Sequence, residues 1–139
     1  MDKERIYAKM DEMEQYLKEL QEIIPDSFES YKASIEKKRA IERLLQITIE
    51  AVMDICAMLV KELRLGLPSV EEDFLEKLKE NVLDPSLVEK LKEMKGFRNI
   101  LVHGYSKIED DKVFEILSKK LEDFQDFKME VLEFLGKIR

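Results

Sequence analysis

The residues best suited to chemistry fall in one string, Gly96-Phe97-Arg98-Asn99-Ile100-Leu101-Val102-His103-Gly104-Tyr105. It holds the only histidine of the chain, five residues after an arginine and two before a tyrosine. An imidazole with a reference pKa of ~6.5 exchanges a proton near neutral pH, and a guanidinium stays charged while offering a fork of donors to phosphate oxygens. Four polar groups, Arg98, Asn99, His103 and Tyr105, thus converge within eight residues at the end of an otherwise apolar helix. The competing reading is a structural histidine satisfied in the core. Residues five apart on an ideal helix point about 140° away from each other, whereas four apart share a face. Arg98 and His103 therefore reach one phosphate only if the helix unwinds near Gly104 or if both face a common groove, as a groove between two subunits would allow.

A second set of polar residues, Glu36, Arg39, Arg43, Gln46, Glu50 and Asp54, recurs at three- and four-residue spacing opposite an apolar side. It is either a solvated face with internal ion pairs or a supporting surface. In the latter case Arg39 and Arg43 approach a substrate backbone while Glu50 or Asp54 orients Arg98 or His103. Other chemistries find no support: the chain has no Gly-rich phosphate loop, no G-x-S-x-G elbow, no H-E-x-x-H pair and no Glu-x-x-His ligand set, so neither a metal nor a cofactor is expected. Lys37-Lys38 and Lys119-Lys120 are too short as charge runs to mark a nucleic-acid tract, and Met53, Cys56 and Met58 read as core fillers.

These residues need a frame, and the breakers divide the chain into about five helical segments. Ile6, Met10, Met13, Leu17, Leu20 and Ile24 line one face of a first helix over about Asp2 to Ile24, stopped by Pro25. Asp26 or Ser27 caps a second, running to about Arg64 and ended by Gly66 and Pro68, with Ile35, Leu44, Leu45, Ile49, Val52, Met53, Cys56, Leu59, Val60 and Leu63 as its buried side. Ser69-Val70-Glu71-Glu72 reads as a capping box opening a short helix with Phe74, Leu75 and Leu78. Asp84-Pro85, a cap followed by proline at the first helical position, starts the helix that carries the string and leaves at Gly104. A last helix extends from about Asp110 or Asp111 to Lys137. The expected fold is one all-α domain over residues 1–139, an antiparallel helical bundle whose long apolar seams leave room for a dimer.

Composition agrees. Of 139 residues 45% are apolar and 40% charged, with four glycines and three prolines, which favours long helices over turn-rich sheets. One cysteine cannot form an internal disulfide, no C-x-x-C pair exists, and no apolar run approaches the ~20 residues that cross a bilayer, so a cytoplasmic protein without membrane contact is expected. A net charge of −7 argues against a general nucleic-acid coat but leaves room for a local basic site.

The string Arg98, four residues, His103, one residue, Tyr105 resembles the Arg-x4-His-x-Tyr motif of the HepT-like toxins of the HEPN superfamily, first catalogued as domain of unknown function 86. The likeness extends to Arg39-Ala40-Ile41-Glu42-Arg43-Leu44-Leu45-Gln46, to Ile49-Glu50-Ala51-Val52-Met53-Asp54, to Pro68 and to the closing amphipathic helix, so it covers nearly the whole chain. It implies a HEPN-like homodimer with the Arg and His of both subunits around an interface cleft, and metal-independent cleavage of RNA. It also implies a cognate minimal nucleotidyltransferase antitoxin of the MntA type that transfers AMP to the motif tyrosine, here Tyr105. On that resemblance His103 would move the proton as the RNA 2′-hydroxyl attacks the adjacent phosphate, Arg98 would meet the developing charge, Asn99 would hold the imidazole or a phosphate, and Tyr105 would position substrate. The rival reading is a non-catalytic nucleotide- or RNA-binding partner module of a nucleotidyltransferase. A purely structural helical dimer ranks last.

Overall fold

The computed structural model describes residues 2–66, 71–104 and 108–138, which form seven helices and no strand. They are α1 (Lys3–Ile23), α2 (Phe28–Ala33), α3 (Ile35–Glu62), α4 (Glu71–Leu78), α5 (Pro85–His103), α6 (Asp110–Lys119) and α7 (Glu122–Lys137). Two of the expected helices are each divided. The segment expected from Asp26 or Ser27 to Arg64 breaks at Ser34, which is extended and whose hydroxyl accepts from the Lys37 amide at 3.2 Å, capping α3. Ser27 caps α2 in the same way, accepting from the Ser30 amide at 3.1 Å. Serine competes for backbone donors and so ends helices without glycine or proline. The last helix breaks at Lys120 and Leu121, between α6 and α7.

The other boundaries follow the local signals. Asp2 caps α1, and Asp84 caps α5 with Pro85 in its first turn. At the far end of α5 the Gly104 amide donates to the Ile100 carbonyl at 2.6 Å, and a side chain on Gly104 would press on that same carbonyl. Past α3 the chain turns through two positive-φ residues, Arg64 and Gly66. Pro68 and the Ser69 cap lie outside the described residues.

Long-range contacts set the helix directions. Asp2 at the start of α1 meets Glu62 at the end of α3, and Lys9 meets Asp54, so α1 and α3 run antiparallel. Lys3 donates to the carbonyls of Leu135 and Ile138 while Glu14 pairs with Lys128, so α1 and α7 are antiparallel too. Between them lies the larger core, with Ile6, Met10, Met13 and Leu17 against Val52, Met53, Cys56, Leu59, Phe124, Phe127 and Val131. A smaller core gathers Leu20, Tyr31, Ile41, Leu45, Val113, Ile116 and Leu117 from α1, α2, α3 and α6. Phe97 of α5 packs against both. Wedged between two cores, it fixes the rotation of α5 about its axis and thereby the direction of its neighbour Arg98.

Candidate functional site

Arg98 lies on the buried side of α5. Its side chain keeps only 13% of its surface exposed and turns towards α3, where NH1 stands 3.7 Å from Oε2 of Glu50. Its Nε donates to Oδ1 of Asn99 at 3.1 Å. Glu50 in turn accepts from Nε2 of Gln46 at 3.2 Å. Two helices thus hold the cation in a half-buried polar network, which is costly unless its charge is compensated, as the Glu50 carboxylate compensates it here.

His103 and Asn99 are exposed, one turn apart on the same face of α5, with Ile100 beside them at 42% exposure. The helix continues regular through His103. The first of the two expected routes, unwinding near Gly104 to bring Arg98 and His103 onto one phosphate, is therefore not taken. Five residues apart on a regular helix, Arg98 and His103 point apart. Tyr105 lies outside the described residues.

The polar face of α3 divides into separate local pairs. Arg39 reaches both Glu42 oxygens, at 3.0 and 2.8 Å, with the Glu42 carboxylate nearly buried. Asp54, expected to orient Arg98 or His103, instead pairs with Lys9 of α1 at 3.3 Å, and with Glu12 it holds the Lys9 ammonium above its ordinary pKa. Arg43 and Glu36 are exposed. Of the α3 residues singled out, Glu50 is the one shown to meet Arg98 among the described residues. Gln46 was visible as part of the stripe, but its partnership with Glu50 follows from the i, i+4 spacing only once that face is known to meet α5. The burial of Glu42 had no signal in the sequence.

Among the described residues no group of three His, Cys, Asp or Glu side chains is placed to hold a metal ion, and no helix is long and apolar enough to cross a membrane. A small cavity flanks the other side of α5, floored by Met94, Phe97 and Ile116 and rimmed by Lys90, Lys112 and Lys120. Lys90 pairs there with Asp123 and Lys120 with Glu93, so its rim is internally neutralised.

The chain is 29% identical to the tRNA nuclease HepT of Aphanizomenon flos-aquae, over 94% of this chain and 89% of that one. It is also 29% identical to the mRNA nuclease HepT of Shewanella oneidensis, over 88% and 92%. Its fold superposes with a TM-score of 0.86, at 28% identity and over 92% of this chain and 96% of that one, on a tri-AMPylated Shewanella oneidensis HEPN toxin solved in complex with its MNT antitoxin. The family model described as ribonuclease HepT-like matches residues 13–131, spanning the Arg39–Asp54 face, Arg98 and His103, and the chain belongs to the HepT-like ribonuclease family.

Proposed function

We propose that this chain is the ribonuclease toxin of a toxin–antitoxin pair, and that two copies bring Arg98 and His103 to one cleft where RNA is cut without a metal ion. The observation that carries the reading is the division of labour on α5. Arg98 is fixed from behind by Glu50 and Asn99, while His103, one regular helical stretch further on, stands exposed. On one helix the two point apart, so a second copy facing the first supplies the complementary pair. The RNA 2′-hydroxyl attacks the adjacent phosphorus as its proton passes to His103 and water protonates the departing 5′-oxygen or, in the opposite protonation state, as water takes that proton and His103 protonates the 5′-oxygen. The P–O5′ bond breaks, leaving a 2′,3′-cyclic phosphate and a 5′-hydroxyl. Arg98 stabilises the charge on the non-bridging oxygens. Asn99, its carbonyl oxygen engaged by Arg98, has its amide nitrogen left to donate to imidazole or phosphate. The exposed Arg43, and Arg39 when released from Glu42, track the backbone.

Control follows the same surface. A cognate MntA-like nucleotidyltransferase would transfer AMP from ATP to the Tyr105 hydroxyl, releasing pyrophosphate. The product sets a nucleotide and a phosphodiester charge two residues from His103, which blocks the cleft and repels RNA.

Wild type and His103→Ala protein, incubated with labelled RNA in EDTA, test the reading. Cleavage by wild type alone, with cyclic or 3′-phosphate ends, is the expected result. Cleavage that survives His103→Ala unchanged removes His103 from the mechanism, and absence of cleavage across varied RNAs leaves the non-catalytic partner module of a nucleotidyltransferase.

A further inference from the structure

Two glycines bracket the motif stretch of α5, and they differ in what surrounds them. A Cβ placed on Gly96, two residues before Arg98, meets nothing within 4 Å. A Cβ placed on Gly104, directly after His103, would overlap the Ile100 carbonyl oxygen and stand 3.0 Å from Cγ2 of Ile100. The backbone of Gly104 is right-handed, with φ −76° and ψ −23°, so glycine is needed there for space and not for its torsion angles. The crowding comes from the closeness of the last turn. The Gly104 amide donates to that carbonyl at 2.6 Å, shorter than the usual N–H···O separation of about 2.9–3.0 Å.

We propose that Gly104 is a positioning residue for His103, and that its missing side chain lets the end of α5 close tightly enough to hold the imidazole in place. The body of α5 is fixed by other contacts. Phe97 packs against both cores, Leu101 packs against the smaller one, and Arg98 is paired with Glu50. A side chain at position 104 is therefore relieved at the helix end, which is the part least held. The amide of residue 104 draws back from Ile100, and His103, exposed and covalently joined to it, moves with it. Arg98, five residues upstream in the anchored part, stays where it is. Misplacement of a reacting group by about 1 Å can cost about a hundredfold in rate, so proton transfer at His103 depends on this turn while recognition of the phosphate by Arg98 does not.

The inference rests on the ribonuclease reading, and the two fail differently in steady-state cleavage of a labelled RNA. Gly104→Ala is expected to lower kcat at least about tenfold while KM stays within about twofold, the pattern of an interaction made only in the transition state. Gly96→Ala, the same change on the same helix, should leave both constants within about twofold and melt no lower than wild type, because alanine has room there and is the better helix former. Hydrogen exchange on the wild type adds a measurement that needs no variant to fold: the Gly104 amide, bonded to Ile100, should exchange more slowly than an unstructured amide. A kcat for Gly104→Ala within about twofold of wild type, a loss carried by KM instead of kcat, an equal loss in Gly96→Ala, or an unprotected Gly104 amide overturns the role of Gly104 while leaving the nuclease intact. A wild type that cleaves no RNA overturns both.

Discussion

The α1–α3–α7 seam and the α3–α5 face share one helix and are built on opposite principles. In the seam, Ile6, Met10, Met13 and Leu17 of α1 close against Val52, Cys56 and Leu59 of α3 with almost no solvent left at either side. Each buried side chain of this kind contributes roughly 1.5–3 kcal/mol from burial. On the other face the same helix offers Glu50 to a half-buried arginine at 3.7 Å, with Gln46 donating to that carboxylate at 3.2 Å, and the helix of that arginine carries an exposed histidine five residues further on. Partly exposed ion pairs of this kind add little to stability. The difference teaches that the seam holds the bundle together and leaves the site face to hold a charged group in a polar network.

That comparison can be broken most sharply in the seam. Leu17→Ala should lower the free energy of unfolding by about 2–5 kcal/mol, through lost burial and the cavity left behind, as read from urea transitions. Cleavage per folded molecule should persist. His103→Ala, at an exposed helix end, should leave the same transitions within about 0.5 kcal/mol of wild type. A large drop would mean that the imidazole is structural and that the two regions are not separable.

A smaller effect sharpens the contrast at the edge of the seam. Asp123, in the first turn of α7, has its pKa raised, chiefly by burial, against the opposing pull of Lys90 at 3.8 Å and with further help from Asp126. Between the ordinary aspartate value and this raised one, the folded chain binds more protons than the unfolded one. Stability therefore falls as pH rises through that window, and the loss remains above it. Asp123→Asn should melt at a slightly higher temperature than wild type at neutral pH, with the difference vanishing below about pH 3.9. A variant equally stable at every pH would show that the Lys90 pair compensates the burial in full.

The smallest effect is expected in the second core. The Tyr31 hydroxyl is buried without a hydrogen-bond partner among the described residues, and burial together with the charges of Glu42 and Asp110 keeps it protonated well above the ordinary tyrosine range. The ring itself packs edge-on to Phe114 at 6.0 Å. Removing an unsatisfied hydroxyl while keeping the ring is near neutral or stabilising, so Tyr31→Phe should change the unfolding free energy by no more than about 0.5 kcal/mol. A loss above about 1 kcal/mol would reveal a hydrogen bond to solvent.

Much of this was legible in the residues. The three-and-four spacing of Ile6, Met10, Met13 and Leu17 predicted the buried face of α1, and Asp84-Pro85 and Gly104 marked both ends of α5. Met53 and Cys56 are core, as their type and setting suggested. Helix number was not legible, because the breaks at Ser34 and Lys120 carry no glycine or proline. At Lys120 the reason is tertiary: α6 contributes to the smaller core and α7 to the larger one, and one straight helix cannot face both. Nor did the α3 stripe announce its pairings. Asp54 and Glu50 are one turn apart, yet one meets Lys9 of α1 and the other Arg98 of α5.

The sequence by itself determined the helical class, the apolar faces and which helix carries the one histidine and the motif arginine, since these depend on side-chain type and on spacings of three and four along one chain. Only the tertiary structure decided which carboxylate faces Arg98 and that α5 stays helical through His103. Those outcomes depend on how Phe97 is wedged between two cores and so sets the rotation of α5 against α3, a relation between helices far apart in sequence that no local period encodes.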